Sequence, residues 1–345
     1  MMLTRILCLA VIAAAASAEN FTWRALEVDN SASSEPPARH SAAMGFWGNQ
    51  FFVFEGIGNV HNGSRIFGMG SLSISSSGSV VWEVLTVPGG GPAHRYGMIY
   101  GVYDKYLLIS HGRGESDDQL YDDTWAFDME SQRWLVVNLS LSLGVNETGG
   151  PLVPEGRTDP AGGVWDDLLW LSMGRNKDKR TLSDLWVLTL STTEENGEVE
   201  LVGEWEMLDE GVGYNQYDPF LPHARYKHAG VPLSNTTFVF FGGCASGGYV
   251  GGPCPLGDSW LYNREDDEWT KLEDCSSPVN DGVMITLSLN RSVLLFGDEE
   301  DGPGAYPQLL SARSFNTSDL SVLDGQNETW IVTRGIGGDL RRQEI

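Results

Sequence analysis

The chain has 345 residues, with 22 Lys+Arg against 47 Asp+Glu and a formal net charge of −25. A surface that negative repels phosphate backbones and anionic lipid heads, which excludes nucleic acid and the membrane surface as partners. Hydrophobic residues at 41% and charged residues at 20% are ordinary for a folded protein, and the length fits one propeller or two ordinary domains.

Residues 1–18 read as a signal peptide. Arg5 precedes an apolar run, Ile6 to Ala16, too short to span a bilayer, and Ala16-Ser17-Ala18 supplies the small residues of a cleavage site before Glu19. The mature chain is then expected outside the cell or in the lumen of the secretory pathway. No later stretch reaches the length of a transmembrane helix, so no membrane insertion is expected. Eight Asn-x-Ser/Thr sequons point the same way, at Asn20, Asn62, Asn138, Asn146, Asn235, Asn290, Asn316 and Asn327.

From residue 19 onward the chain reads as one repetitive domain. Residues 20–28, with Trp23 in NFTWRAL, are expected to form an extra edge strand. Five units follow, over about 36–87, 92–139, 154–210, 222–274 and 278–333. Four of them open on an arginine after proline: Arg39 in PPARH, Arg95 in PAHRY, Arg157 in PEGRT and Arg225 in PHARY. Each then carries an apolar run that closes in glycine, at Gly56, Gly112, Gly174 and Gly243, so the Arg-to-Gly distances are 17, 17, 17 and 18. The fifth unit keeps the spacing without the residues, from Asp281 to Asp298. A third apolar strand follows, clearest in DTWAFD, DLWVLTL and DSWLYN. The units end on Trp82, Trp134, Trp205, Trp269 and Trp330 within polar–apolar alternations.

Four short runs rich in Val, Leu, Ile, Phe and Trp, separated by Gly, Pro, Asn and Asp turns, predict four antiparallel strands per unit. The second run is apolar at nearly every position and is expected to be buried on both faces. Its closing glycine permits a positive φ where the loop turns away. The final Trp offers a large apolar face to the next unit. Sheets that cannot bury both faces alone do so when stacked around an axis.

This pattern resembles the kelch repeat family over about residues 20 to 335. The match is fullest in the fourth unit, with Gly242-Gly243, Tyr262 and Trp269, whereas Glu55, His111 and Met173 stand where the first glycine of the doublet belongs. The resemblance implies an all-β, kelch-type β-propeller of about five to six four-stranded blades, similar to the central propeller of galactose oxidase without its catalytic domain. An Arg-to-Trp span takes 39 to 49 residues here, and 15 residues follow Trp330. The sixth blade is therefore expected to be incomplete at the C-terminus, with Trp23 a spare edge strand.

Cys8 leaves with the signal peptide, and Cys244, Cys254 and Cys275 remain. Cys244 and Cys254 flank a Gly-rich segment and are the easiest pair to close, by a bridge worth about 3 kcal/mol at most. Cys254 with Cys275 is the alternative.

The repeated Arg39, Arg95, Arg157 and Arg225 suit either of two roles. They line one mouth of the channel and bind a ligand, or they pair with carboxylates and tie adjacent blades together; their repetition with the fold favours the second. Loop aromatics Tyr214, Tyr217, Phe220 and Tyr249 suit protein or glycan contact. His223 and His228 have no matching pair in other units, and the acidic clusters fit turns, so no metal, cofactor or catalytic residue is expected. The expected function is a secreted or lumenal, N-glycosylated, non-catalytic kelch module that binds a protein or glycan. The alternatives are a carbohydrate-active kelch enzyme, sugar oxidase-like or sialic acid mutarotase-like, and a truncated ectodomain of a larger cell-surface protein.

Overall fold

The computed structural model describes residues 39–57, 68–74, 80–116, 118–140, 152–195, 198–212, 218–245, 254–272 and 280–288, with strands at 291–295, 312–316, 321–324, 331–334 and 340–343. Residues 1–18, expected to be a signal peptide, the Trp23 segment, Cys275 and Trp330 lie outside the described residues, as do Tyr214, Tyr217 and Tyr249 and the sequons at Asn20, Asn62, Asn146, Asn290 and Asn327.

Every regular element among the described residues is a strand. The first sheet contains β1 (Ala43–Trp47), β2 (Gln50–Phe54), β3 (Met69–Ile74) and β4 (Val80–Leu85), antiparallel and in chain order. The second contains β5 (Ile99–Tyr103), β6 (Tyr106–Ser110), β7 (Thr124–Asp128) and β8 (Arg133–Leu139). The third contains β9 (Ala161–Trp165), β10 (Leu168–Arg175), β11 (Thr181–Glu195) and β12 (Glu198–Asp209). The fourth contains β13 (Ala229–Pro232), β14 (Thr237–Phe241), β15 (Ser259–Asn263) and β16 (Glu268–Lys271). The fifth contains β17 (Val283–Ser288), β18 (Arg291–Leu295), β19 (Ala312–Asn316) and β20 (Ser321–Asp324). The first strands β1, β5, β9, β13 and β17 touch one another in succession, which sets the five sheets around a common axis.

Packing follows from the apolar runs. β6 and β14 are buried along almost their whole length because each has a neighbouring sheet on both faces. Trp82, Trp134, Trp205 and Trp269 sit opposite Leu72, Phe127, Leu188 and Tyr262, at the same register in four successive sheets. Trp134 packs on Phe54 of the preceding sheet at 4.8 Å between ring centroids. Trp205 joins Leu108 and Ala126 of the second sheet, and Trp269 joins the cluster around Trp170 of the third. Each fourth-strand Trp in sheets two to four thus wedges back against the sheet before it.

Three features depart from the sequence reading. First, both residues of each doublet adopt the left-handed conformation. Glu55, His111 and Met173 have φ of 56°, 62° and 55°, just ahead of Gly56, Gly112 and Gly174. The chain tolerates a side chain at the first position and not at the second, where a Cβ on Gly112 would lie 3.0 Å from the Tyr96 carbonyl oxygen. Second, β11 and β12 form a long hairpin, and β12 pairs in parallel with β8 through Leu201↔Val137, Val202↔Asn138 and Gly203↔Leu139. Sheets two and three therefore share one eight-stranded sheet, which covers part of an otherwise open outer edge. Third, the fourth strand of the fifth sheet is β20, not the strand at Trp330. The residues after Trp330 form β21 (Ile331–Arg334), which pairs with β22 (Leu340–Gln343) as a separate ribbon.

Replacing Trp205, which is 2% exposed, with Ala removes a wedge between two sheets. Trp205→Ala should lower unfolding stability by about 3–5 kcal/mol, while Val136→Ala at a position 49% exposed should cost less than about 0.5 kcal/mol. Urea denaturation of the two variants measures the contrast.

Candidate functional site

The repeated arginines are structural. Arg95, Arg157 and Arg225 have fully buried side chains, each gripping one aspartate with both ends of the guanidinium. The partners are Asp123 at 2.5 and 3.1 Å, Asp184 at 2.6 and 2.8 Å, and Asp258 at 2.6 and 2.8 Å. Nη1 also donates to the carbonyl of the first doublet residue, His111, Met173 or Gly242, and Nε donates to the carbonyl two residues back. The same aspartates accept the indole N–H of Trp125, Trp186 and Trp260, two residues further along. Burial by itself raises these carboxyls; the guanidinium and the indole outweigh it and hold all three below the usual carboxylate range.

These side-chain pairs lie within a sheet, not between blades as expected. The links between sheets come from the backbone: Gly112 donates to the Arg157 carbonyl and Gly174 to the Arg225 carbonyl, each at 2.9 Å. Arg39 is the exception. The first unit has Gly68 and Gly70 where the second to fourth carry Asp and Trp; Arg39 keeps the donation to the doublet carbonyl, that of Glu55, and stacks over Trp82, whose ring fills the space above Gly70. Arg95, Arg157 and Arg225 thus spend their buried side chains on carboxylates, the kind of role that their repetition with the fold favours over ligand binding.

A second set of polar features lies near the axis. Two residues beyond each arginine the chain turns left-handed, at Ser41, Gly97, Asp159 and Lys227, with φ of 55°, 61°, 53° and 57°. In the fifth unit this place falls to Asp281, φ 52°, so the fifth unit is offset by two residues from the expected alignment. Backbone hydrogen bonds run Asp159 to Gly97, Lys227 to Asp159 and Asp281 to Lys227 at 2.9–3.0 Å, forming an arc around the axis. Gly97 suits this arc because the Asp159 carboxylate stands 2.6 Å from where its Cβ would be.

Lys227 Nζ donates to Asp281 Oδ2 at 2.8 Å. Burial, then the nearby Asp281 carboxylate, push Asp159 above the ordinary carboxylate range. Burial lowers His40, which also feels Asp281 and Lys227.

Next to these polar groups, the first strands of the first and fifth sheets carry exposed apolar side chains. Two residues past the left-handed positions stand Ala43, Ile99, Ala161 and Ala229, at 0–6% exposure, whereas Val283 in the fifth sheet is 48% exposed. On β1, Met44 and Phe46 are 38% and 53% exposed. Their counterparts in the second sheet, Tyr100 and Val102, pack against the first. Val283 on the fifth sheet and Met44 and Phe46 on the first thus stand exposed, on strands that begin their sheets. Further out in the first sheet Val53, Leu72 and Trp82 are buried.

Of the loop aromatics, Phe220 is described and is 80% exposed. Two sequons, Asn138 on β8 and Asn235 in the β13–β14 turn, are exposed. Cys244 and Cys254 form a disulfide. Sequence reasoning missed the Asp of the Asp-x-Trp motif, although it recurs 28, 27 and 33 residues after the arginines. It also missed the axial residues, which vary from unit to unit and so leave no repeat to find.

This architecture matches the solved structure of YjhT, with a TM-score of 0.62 over 88% of each chain at 17% sequence identity. At that identity the likeness is one of fold. No protein-family model and no curated protein sequence matches the chain. The chain folds as an all-β propeller of the kelch type.

Removing one partner of a buried ion pair leaves an uncompensated charge. Arg157→Ala should destabilise by about 3–5 kcal/mol, and Arg157→Lys should recover only part of this because an ammonium cannot grip both carboxylate oxygens. Unfolding midpoints of the two variants in urea test this.

Proposed function

We propose that the chain is a secreted or lumenal, N-glycosylated, non-catalytic kelch propeller that binds a glycan or protein partner at the junction of its first and fifth sheets. The observation that supports it is the exposure of Met44, Phe46 and Val283, whose counterparts in the second sheet, Tyr100, Val102 and Ile99, are partly or fully buried, near the polar groups of His40, Lys227 and Asp281. A cleft with apolar walls and a few convergent polar groups is the usual form of a binding site. Phe46 offers a ring face, and the Lys227–Asp281 pair offers a donor and an acceptor to hydroxyl or amide groups. The net charge of −25 disfavours polyanionic ligands. The exposed Asn138 and Asn235 sequons and the Cys244–Cys254 disulfide support passage through an oxidising secretory compartment.

One observation favours the second reading, a carbohydrate-active enzyme of the sugar oxidase or mutarotase kind. Burial raises Asp159 and lowers His40, and each also feels the Asp281 and Lys227 charges; such perturbed groups gather where protons are transferred.

A glycan and protein array probed with the secreted protein tests both. Binders should lose affinity about 10- to 100-fold with Phe46→Ala, as expected for losing most of one buried aromatic contact. Binders indifferent to Phe46→Ala and Met44→Ala would remove the cleft from consideration. Turnover of a bound sugar that disappears in Asp159→Asn while binding persists would replace the binding module with the enzyme.

A further inference from the structure

Two buried histidines, His111 and His228, are used neither by the arginine–aspartate grips nor by the axial rim. Both bridge a junction with the third sheet. His111, at 0% exposure, follows β6 of the second sheet. Its Nε2 lies 3.4 Å from the carbonyl oxygen of Pro154, on the segment leading into the third sheet, and its ring meets Trp205 edge-on at 5.9 Å between centroids. A carbonyl can only accept, so Nε2 carries the hydrogen and Nδ1 accepts from Ser110 Oγ at 2.8 Å. Thr124 Oγ1 backs Ser110 at 2.8 Å.

His228, at 4% exposure, belongs to the fourth sheet and reaches Ser172 Oγ on β10 at 3.1 Å, with its ring against Phe240 at 5.4 Å. Its Nδ1 is buried and has no hydrogen-bond partner among the described residues. A proton placed there would be a buried donor without an acceptor.

We propose that His111 and His228 are neutral pins that lock the third sheet between its neighbours, and that acidification of the surrounding compartment loosens both junctions together. The charged groups facing them reinforce this. His111 faces the Arg157 guanidinium, and the nearby Asp184 and Asp123 are already committed to Arg157 and Arg95. His228 faces Arg225, whose partner Asp258 is likewise engaged. Burial first, and the arginine second, push His111 down to about 3 and His228 well below the ordinary imidazole value.

The sign follows from linkage. An opened state takes up a proton on each imidazole near pH 6.5, whereas the closed state refuses it until about pH 3 at His111. The closed junctions therefore keep their full advantage above pH 6.5 and lose it as pH falls below. Between pH 7 and pH 5 the opened state gains on the order of 25-fold through His111 alone, and His228 acts in the same direction.

Native-state hydrogen exchange of the full chain at pH 7 and pH 5, corrected for the intrinsic pH dependence of exchange, tests this. Strands β10, β11 and β14 should lose at least tenfold in protection at pH 5, while β2 and β3 of the first sheet hold theirs. The paired substitutions His111→Asn and His228→Gln should abolish the difference; Asn is chosen because it tolerates the left-handed backbone. An equal pH response in the variant would overturn the proposal. So would imidazole NMR titrations of the wild-type protein placing either histidine near 6.5, a readout that stands even if the variant does not fold.

Discussion

A guanidinium with no exposure to water is costly unless nearly all of its N–H groups find acceptors. Arg157 places four of its five, on Asp184, Met173 and Glu155, and the planar fork explains why arginine and not lysine recurs at the site. Through these bonds one side chain fastens the start of a sheet to the end of its second strand and the start of its third. The doublet turn, the Asp-x-Trp motif and the proline-led approach to the arginine are parts of one device.

The device also sets the relation between sheets. Because the arginine side chain is anchored inside its own sheet, its backbone carbonyl is held still, and the doublet glycine of the preceding sheet donates to it. The apolar run of each second strand and the fourth-strand Trp then find the neighbouring sheet at a fixed distance. Where the device weakens, packing changes. The first unit lacks the aspartate, so Trp82 swings over Gly70 to occupy the vacant place. The fifth unit lacks the arginine, and its Val283 stands exposed where its counterparts are covered.

Function has room only where repetition stops. Residues bound into the repeated grips are spent on stability, so the variable positions at the axis are the ones free to differ between units. His40, Asp159, Lys227 and Asp281 occupy equivalent or adjacent places in their units but differ in charge from one unit to the next, and their neighbours come from other units. The buried histidines follow the same logic in the opposite sense: they interrupt apolar junctions with groups whose charge state depends on the surroundings.

Much of the architecture was legible in the order of residues. The arginine-to-glycine spacing, the closing Trp and the apolar second strand repeat at short range, and local periodicity is enough to predict four-stranded sheets stacked around an axis. The Cys244–Cys254 pair was legible for the same reason, since ten residues separate the two. What the third dimension decided is which groups meet across long stretches of chain. Whether Arg157 faces a ligand or Asp184, how β12 reaches β8, which residue of the fifth unit joins the axial arc, and which apolar side chains stay uncovered all depend on packing between units. Spacing along a chain carries no record of such distances, because stacking around an axis brings together residues that differ in kind and lie far apart in sequence.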